Sequence, residues 1–257
     1  MNKGSVIAGI IALSIVVFAA ALVYLVFYEP QAGGASNLYS NNWSGYAAVS
    51  STPFDSVSAA WKVPDVASSQ EPRYSSIWVG IGGFVERGNR LIQAGTEQDV
   101  ESNGHKDFYA WFEALPRPPV TVGQVSPGDT VSVQIYKVPG SLSVWHVKLT
   151  KESGGVVTTL VDDDIAIRTN SASRASAEFI VEAPTVVSGR TAVQLLPLAN
   201  FGSVTFTNCS TSQGSLGSLA TNLYRLAMTS DGTKQGKVLA TTGALSSDSF
   251  TVTSAGG

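Results

Sequence analysis

Ala177-Glu178-Phe179-Ile180-Val181-Glu182 alternates strictly, with Ala177, Phe179 and Val181 of one parity and Glu178, Ile180 and Glu182 of the other. Successive side chains of a strand point to opposite faces, so this stretch reads as a strand with one apolar face and one face carrying two carboxyls. Three other segments share the pattern. Phe108-Tyr109-Ala110-Trp111-Phe112-Glu113 groups Tyr109, Trp111 and Glu113; Leu91-Ile92-Gln93-Ala94-Gly95-Thr96-Glu97 groups Gln93 with Glu97; and Trp78-Val79-Gly80-Ile81-Gly82-Gly83 sets Trp78 beside two glycines. Solvated strand faces favour Thr, Lys and Ser, whereas a repeated mix of Trp, Tyr, Glu and Gln with glycine clearance describes a groove that holds a ligand.

Outward from these segments the same period recurs, in Val57, Ala59, Trp61 and Val63, in Val131, Val133 and Ile135, in Trp145, Val147 and Leu149, and in Val204 and Phe206. Turn residues separate the runs at Ser126-Pro127-Gly128-Asp129, Ser153-Gly154-Gly155 and Ser230-Asp231-Gly232. After the first 29 residues no long stretch has helical period, so the fold expected is all-β, an antiparallel sandwich. No Pro- or Ser-rich linker or internal repeat divides it, and residues 37–257 read as one domain.

Before that domain lies a different kind of segment. Residues 6–28 carry no charge, and about 20 helical residues suffice to cross a bilayer core. This is longer than the ~7–15 apolar residues of a cleavable signal. Residues 1–29 are therefore expected to be a transmembrane signal-anchor and 30–36 a linker. Lys3 precedes the segment and Glu29 follows it, which orients the domain away from the cytoplasm. Cleavage after Ala32 would instead release a secreted form.

Charged residues make up 14% of the chain and the net charge is −3, so no basic surface points to nucleic acid. A single cysteine, Cys209, excludes an internal disulfide framework and a cysteine zinc site, and it reads as a buried small hydrophobe. No cofactor or metal is expected, and the domain is read as monomeric. There is no G-x-S-x-G, H-E-x-x-H or P-loop motif. Of the two histidines, His105 falls in the turn-like Asn103-Gly104-His105-Lys106, and His146 reads as a surface or packing residue on a strand. Asp162-Asp163-Asp164 reads as a solvated acidic turn.

These residues resemble the glutamic peptidases, or eqolisins. The likeness runs through Asn42-Trp43-Ser44-Gly45-Tyr46, Val57-Ser58-Ala59-Ala60-Trp61-Lys62-Val63-Pro64, the four segments above, and Phe201-Gly202-Ser203-Val204-Thr205-Phe206. That resemblance implies a concanavalin A-like or jelly-roll-like sandwich of two large antiparallel sheets. It also implies an acid-acting endopeptidase on polypeptide substrates, with a glutamine and a glutamate as catalytic pair. The matching positions are Gln93 and Glu182. Trp78, Glu97, Tyr109, Trp111, Glu113 and Glu178 are the candidates for lining the groove and orienting the pair. Two positions depart from the family's usual pattern: Gly82 stands where an aspartate is common, and Glu97 replaces a shorter aspartate.

An ordinary glutamate titrates at about 4.3, which would suit Glu182 to base catalysis in acid, with Gln93 supplying an N–H to the oxyanion. Two alternatives stay open on the residues alone. One is a jelly-roll glycoside hydrolase using Glu178 and Glu182 as its carboxyl pair. The other is a non-catalytic, lectin-like adhesin with the aromatics as its binding platform.

Overall fold

A computed structural model describes residues 35–85, 91–167, 174–188, 192–219 and 222–256. The expected membrane segment and most of the linker lie outside these residues, and among those described no helix is long and apolar enough to cross a membrane. In chain order the strands are β1 (Ser36–Ser40), β2 (Trp43–Val49), β3 (Ser56–Lys62), β4 (Arg73–Ile81), β5 (Ile92–Val100), β6 (Lys106–Ala114), β7 (Val120–Gln124), β8 (Thr130–Lys137), β9 (Val144–Ser153), β10 (Val156–Ala166), β11 (Ser176–Glu182), β12 (Thr185–Ser188), β13 (Ala192–Leu195), β14 (Ser203–Thr211), β15 (Gly214–Ser215), β16 (Leu223–Thr229), β17 (Val238–Thr242) and β18 (Phe250–Ser254).

The main strands form one hydrogen-bonded path, β10-β9-β8-β3-β14-β18-β17-β16-β2-β11-β4-β5-β6-β7, rather than two separate sheets. Pairing is antiparallel throughout it; the short β1 joins β16 in parallel. The path folds back through β18, β17 and β16, so that β3 and β8 face β4, β5 and β11. Its two ends also approach, since Lys151 at the end of β9 donates from Nζ to the Gln124 carbonyl of β7 at 2.8 Å.

The alternating runs do what their period requires. Val57, Ala59 and Trp61 of β3, Val131, Val133 and Ile135 of β8, Trp145, Val147 and Leu149 of β9, and Val204 and Phe206 of β14 are all buried between the layers. From the facing layer come Ile77, Val79, Ala94, Ala110, Phe179 and Val181. Near the fold of the path, Phe206 stacks on Phe250 with centroids 4.8 Å apart, and Tyr46 meets Phe250 edge-on. Cys209 is buried, as its reading required.

The expected turn at Ser126–Asp129 closes with the Ser126 backbone N–H donating to Asp129 Oδ2 at 2.9 Å. One expectation is corrected. Asp162-Asp163-Asp164 lies inside β10 and is no turn. His146 pairs with Asp162 and Asp164, each at 2.7 Å, and Lys148 pairs with Asp162. A cross-strand partner on β9 makes an acidic strand tolerable, and local composition carries no sign of it.

One polar contact ties the layers together. Trp61 of β3 donates from Nε1 across the core to Thr96 Oγ1 of β5 at 3.1 Å, and Gln98 Nε2 donates to the same hydroxyl at 2.7 Å. Trp61→Phe removes this bond and leaves a void where the larger ring packed. It is expected to destabilise the domain by about 2 kcal/mol, measured by urea unfolding; a loss near zero would mean that Trp61 does not couple the layers.

Candidate active site

Register turns the separate strand faces of the sequence into a surface. Glu178 of β11 lies opposite Gly80 of β4, Gly80 opposite Gln93 of β5, and Gln93 opposite Glu113 of β6. The next row on the same face is Ile180, Trp78, Gly95 and Trp111. The third is Glu182, Ser76, Glu97 and Tyr109. Strand β2 extends the rows with Ala47, Gly45 and Trp43. All eight residues singled out in the sequence therefore share one face of four neighbouring strands.

Glycine is required where the rows are tight. A Cβ on Gly95 would lie 2.0 Å from the Ile77 carbonyl oxygen and 2.6 Å from Trp78 Cβ, so the Trp78 ring crosses its neighbour only because position 95 is bare. A Cβ on Gly80 would sit 3.1 Å from Gln93 Cβ. The tryptophans are not the open groove lining expected from the sequence. Trp78 is 0% exposed and Trp111 2%, because the face is enclosed by a second apolar cluster that includes Leu38, Leu91, Leu115 and Leu226.

Each half of the expected pair has its own holder. Trp78 donates from Nε1 to Glu182 Oε2 at 2.8 Å, and Asn42 donates from Nδ2 to Glu182 Oε1 at 3.2 Å. Asn42 is fixed in turn by Ser40, whose hydroxyl donates to Asn42 Oδ1 at 3.1 Å and accepts from the Trp43 backbone N–H at 3.0 Å. Trp43 packs edge-on against Trp78, with centroids 5.1 Å apart. On the other side Gln93 donates from Nε2 to Glu113 Oε2 at 2.7 Å. Gln93 Oε1 and Glu113 Oε1 are buried without a hydrogen-bond partner.

Ser40, Asn42 and Trp43, around Glu182, and Asp99, beside Glu97 on β5, are neighbours of these carboxyls that sequence reasoning missed. Asn42 and Trp43 appear in the motif that carries the family likeness, yet nothing local shows that they meet Glu182. Only the pairing of β2 with β11, which sets Trp43 opposite Glu182, reveals it.

Among the described residues no lysine or arginine forms an ion pair with any of these carboxyls. Burial pushes Glu182 up to about 7, against the Trp78 N–H, which favours its charged form. Burial likewise raises Glu113 to about 8, with the Gln93 donation opposing it, and raises Asp99 to about 8, helped by Asp107 and Glu101. Glu97, buried and beside Asp99, and Glu178, buried, both stand well above the ordinary carboxyl range. Tyr109 is also raised, by burial and then by Glu97 and Asp99. The expectation that Glu182 behaves as an ordinary carboxylate is thus corrected, and the cause is loss of water.

By register the Cα atoms of Gln93 and Glu182 lie about 10 Å apart across the strands and about 13 Å along them. The row of Ile180, Trp78, Gly95 and Trp111 lies between them. A separate cleft of about 560 Å³, lined by Arg73, Lys237, Pro197 and Asn200, has no carboxyl in its wall and offers no comparable chemistry.

Comparison with known proteins gives the family and the fold. The pattern of the Peptidase A4 family matches residues 41–254. Aspergillopepsin-2 of Aspergillus niger is 27% identical over 245 residues, covering 86% of this chain and 80% of that protein. The fold is that of scytalido-glutamic peptidase, solved with a transition-state analogue inhibitor, at a TM-score of 0.67 and 21% identity, covering 83% of this chain and 98% of that one. SCP-B, an eqolisin solved with the tripeptide Ala-Ile-His, superposes with a TM-score of 0.62 at 22% identity over 83% of this chain and 98% of its own.

The raised carboxyls make stability depend on pH in a definite sense. A carboxyl whose pKa is higher folded than unfolded holds its proton more tightly in the fold. Stability is therefore full below the unfolded value and is lost as pH rises through the folded one. For Glu182, moved from 4.5 to about 7, the loss is about 3 kcal/mol. The melting temperature is expected to be highest near pH 4 and to fall by roughly 10 °C as pH rises from 4.5 to 8. Differential scanning calorimetry across that range tests it, and a maximum near neutrality would contradict the buried acid cluster.

Proposed function

The chain belongs to the Peptidase A4 family and is a glutamic-type peptidase; from that premise we propose that it is an acid endopeptidase in which Glu182 is the general base and Gln93 the oxyanion donor. The observation that carries this reading is the separate anchoring of the two groups on one enclosed face, Glu182 by Trp78 and Asn42 and Gln93 by Glu113.

Glu182, ionised, takes a proton from a water held against the scissile carbonyl, and the water oxygen bonds to the carbonyl carbon. The oxygen that gains charge accepts one N–H of Gln93, whose other N–H is spent on Glu113. A preformed donor in a site shielded from bulk water is worth several kcal/mol to such a transition state. Glu182 then returns the proton to the departing amine nitrogen as the C–N bond breaks, which leaves a carboxylic acid and an amine. Trp78 and Trp111 lie between the two groups beneath the enclosing apolar cluster, which an extended polypeptide substrate would have to displace to reach them. The apolar segment 6–28 would place this chemistry outside the cytoplasm, tethered or released.

A base buried to a pKa of about 7 is mostly protonated in acid. kcat/KM reports the free enzyme, so its acid limb is expected near 7, while the limb of kcat lies lower to the extent that substrate and water rehydrate Glu182. The glycosidase alternative fits the geometry less well. It gives no role to Gln93 or to its 2.7 Å donation to Glu113, and neither oxygen of Glu178 has a hydrogen-bond partner.

Glu182→Gln and Gln93→Ala are each expected to reduce digestion of an unfolded protein by at least about a thousandfold between pH 3 and 7, with unchanged circular dichroism. Full activity in either variant would exclude the pair. Trp78→Phe removes the donor that favours ionised Glu182, so its pKa rises and the acid limb is expected to move up by about one pH unit. A pH series of kcat/KM reads this, and a limb that stays fixed would remove Glu182 from the role of base.

A further inference from the structure

The mechanism leaves one buried carboxyl unused. Glu178 is 0% exposed, and neither of its oxygens makes a hydrogen bond of normal geometry. The Ser176 hydroxyl and the Phe84 backbone amide lie only near enough to soften its burial. A carboxyl held dry and unpaired is costly, and such a cost in a native fold calls for an explanation.

Its place in the sheet supplies one. Glu178, Gly80, Gln93 and Glu113 form a single cross-strand row, so Gln93 has a carboxyl on each side. Toward β6, Glu113 accepts from Gln93 Nε2 at 2.7 Å. Toward β11 only the bare backbone of Gly80 separates Gln93 from Glu178, and a Cβ there would press on Gln93 Cβ at 3.1 Å and Leu91 Cδ1 at 2.9 Å. Gln93 Oε1, the end of the carboxamide that Glu113 cannot serve, is buried and unpaired as well.

An amide acts as an oxyanion donor only while its nitrogen faces the substrate. A flip puts a carbonyl oxygen there and turns stabilisation into repulsion. One hydrogen bond to Nε2 biases the orientation, and a donor on Oε1 completes it. We propose that Glu178 is a positioning residue for Gln93, its carboxylic O–H donating to Gln93 Oε1 so that Nε2 is held toward the scissile carbonyl. As the chain stands here the two are not bonded. Hydrogen bonds of this kind commonly tighten only when substrate is engaged. The inference rests on Gln93 being the oxyanion donor.

Two substitutions test it, with steady-state kinetics on a peptide substrate and thermal unfolding measured together. Glu178→Gln keeps a neutral donor of the same length, and kcat is expected within threefold of the parent. Glu178→Leu keeps the volume but not the donor. Its kcat is expected to fall at least a hundredfold with KM within threefold, while the melting temperature stays level or rises because an unpaired carboxyl has been removed. Should the leucine variant fail to fold, Glu178→Met replaces it. Full kcat in the apolar variant would overturn the proposal, as would an equal loss in the glutamine variant, which would call for an ionised group. Gln93→Ala run alongside separates the two readings: if it is active the oxyanion assignment fails, and if it is inactive while Glu178→Leu is fully active only the positioning role fails.

Discussion

The interaction on which the rest of the structure depends is the burial of Glu97, Asp99, Glu113, Glu178 and Glu182 on one sheet face, with no lysine or arginine among the described residues to neutralise them. Removing an ionised carboxyl from water costs several kcal/mol unless it is paired or protonated. The protein uses protonation and neutral donors together. Indole and amide N–H groups from Trp78, Asn42 and Gln93 face carboxyl oxygens, and burial raises every pKa in the group. A counter-cation would have relieved the same cost. It would also have held Glu182 ionised at the expense of its basicity and placed a competing charge beside the reacting carbonyl.

That choice constrains the fold around it. A face this expensive needs a large apolar reserve behind it, and the opposite parity of the same strands supplies it through Ile77, Val79, Ala94, Phe179 and Val181 packed on β3 and β8. Strand geometry makes the division automatic, since every residue that adds to the core leaves its neighbours on the site face. The glycines of β4 and β5 then decide which side chains meet. Without Gly95 the Trp78 ring could not lie as it does, and without Gly80 the row through Gln93 would close.

Much of this was readable from sequence because period two is a local property. Parity alone grouped Tyr109, Trp111 and Glu113, paired Gln93 with Glu97, and put both carboxyls of β11 on one side. What parity could not supply was register. That Glu178 shares a row with Gln93 while Glu182 shares one with Glu97 follows from the pairing of β11, β4 and β5, which brings together positions some eighty to a hundred residues apart. The same gap hid Asn42 and Ser40, whose partner is far along the chain, and turned Asp162-Asp163-Asp164 into a supposed turn until His146 and Lys148 appeared beside it. Protonation was the other blind spot. A reference pKa assumes water, and it was the enclosing cluster around Leu91, Leu115 and Leu226 that removed it.

The two ends of the site face then have different electrostatic tasks. Negative charge develops on the carbonyl oxygen near Gln93, where any ionised carboxyl would oppose it. This chain has Gly82 beside that end, at a φ of 90° that disfavours a side chain, with its backbone N–H donated to the Ser176 carbonyl. The aspartate that the family resemblance implies there is absent, and the two carboxyls that remain at that end, Glu113 and Glu178, are raised by burial, as Glu97 and Asp99 are at the other. At the other end the base must give up a proton to be useful, yet burial resists its ionisation. The Trp78 and Asn42 donors offset part of that resistance at Glu182. The sheet thereby separates the end at Gln93 that receives charge from the end at Glu182 that exchanges a proton, with the tryptophan row between them.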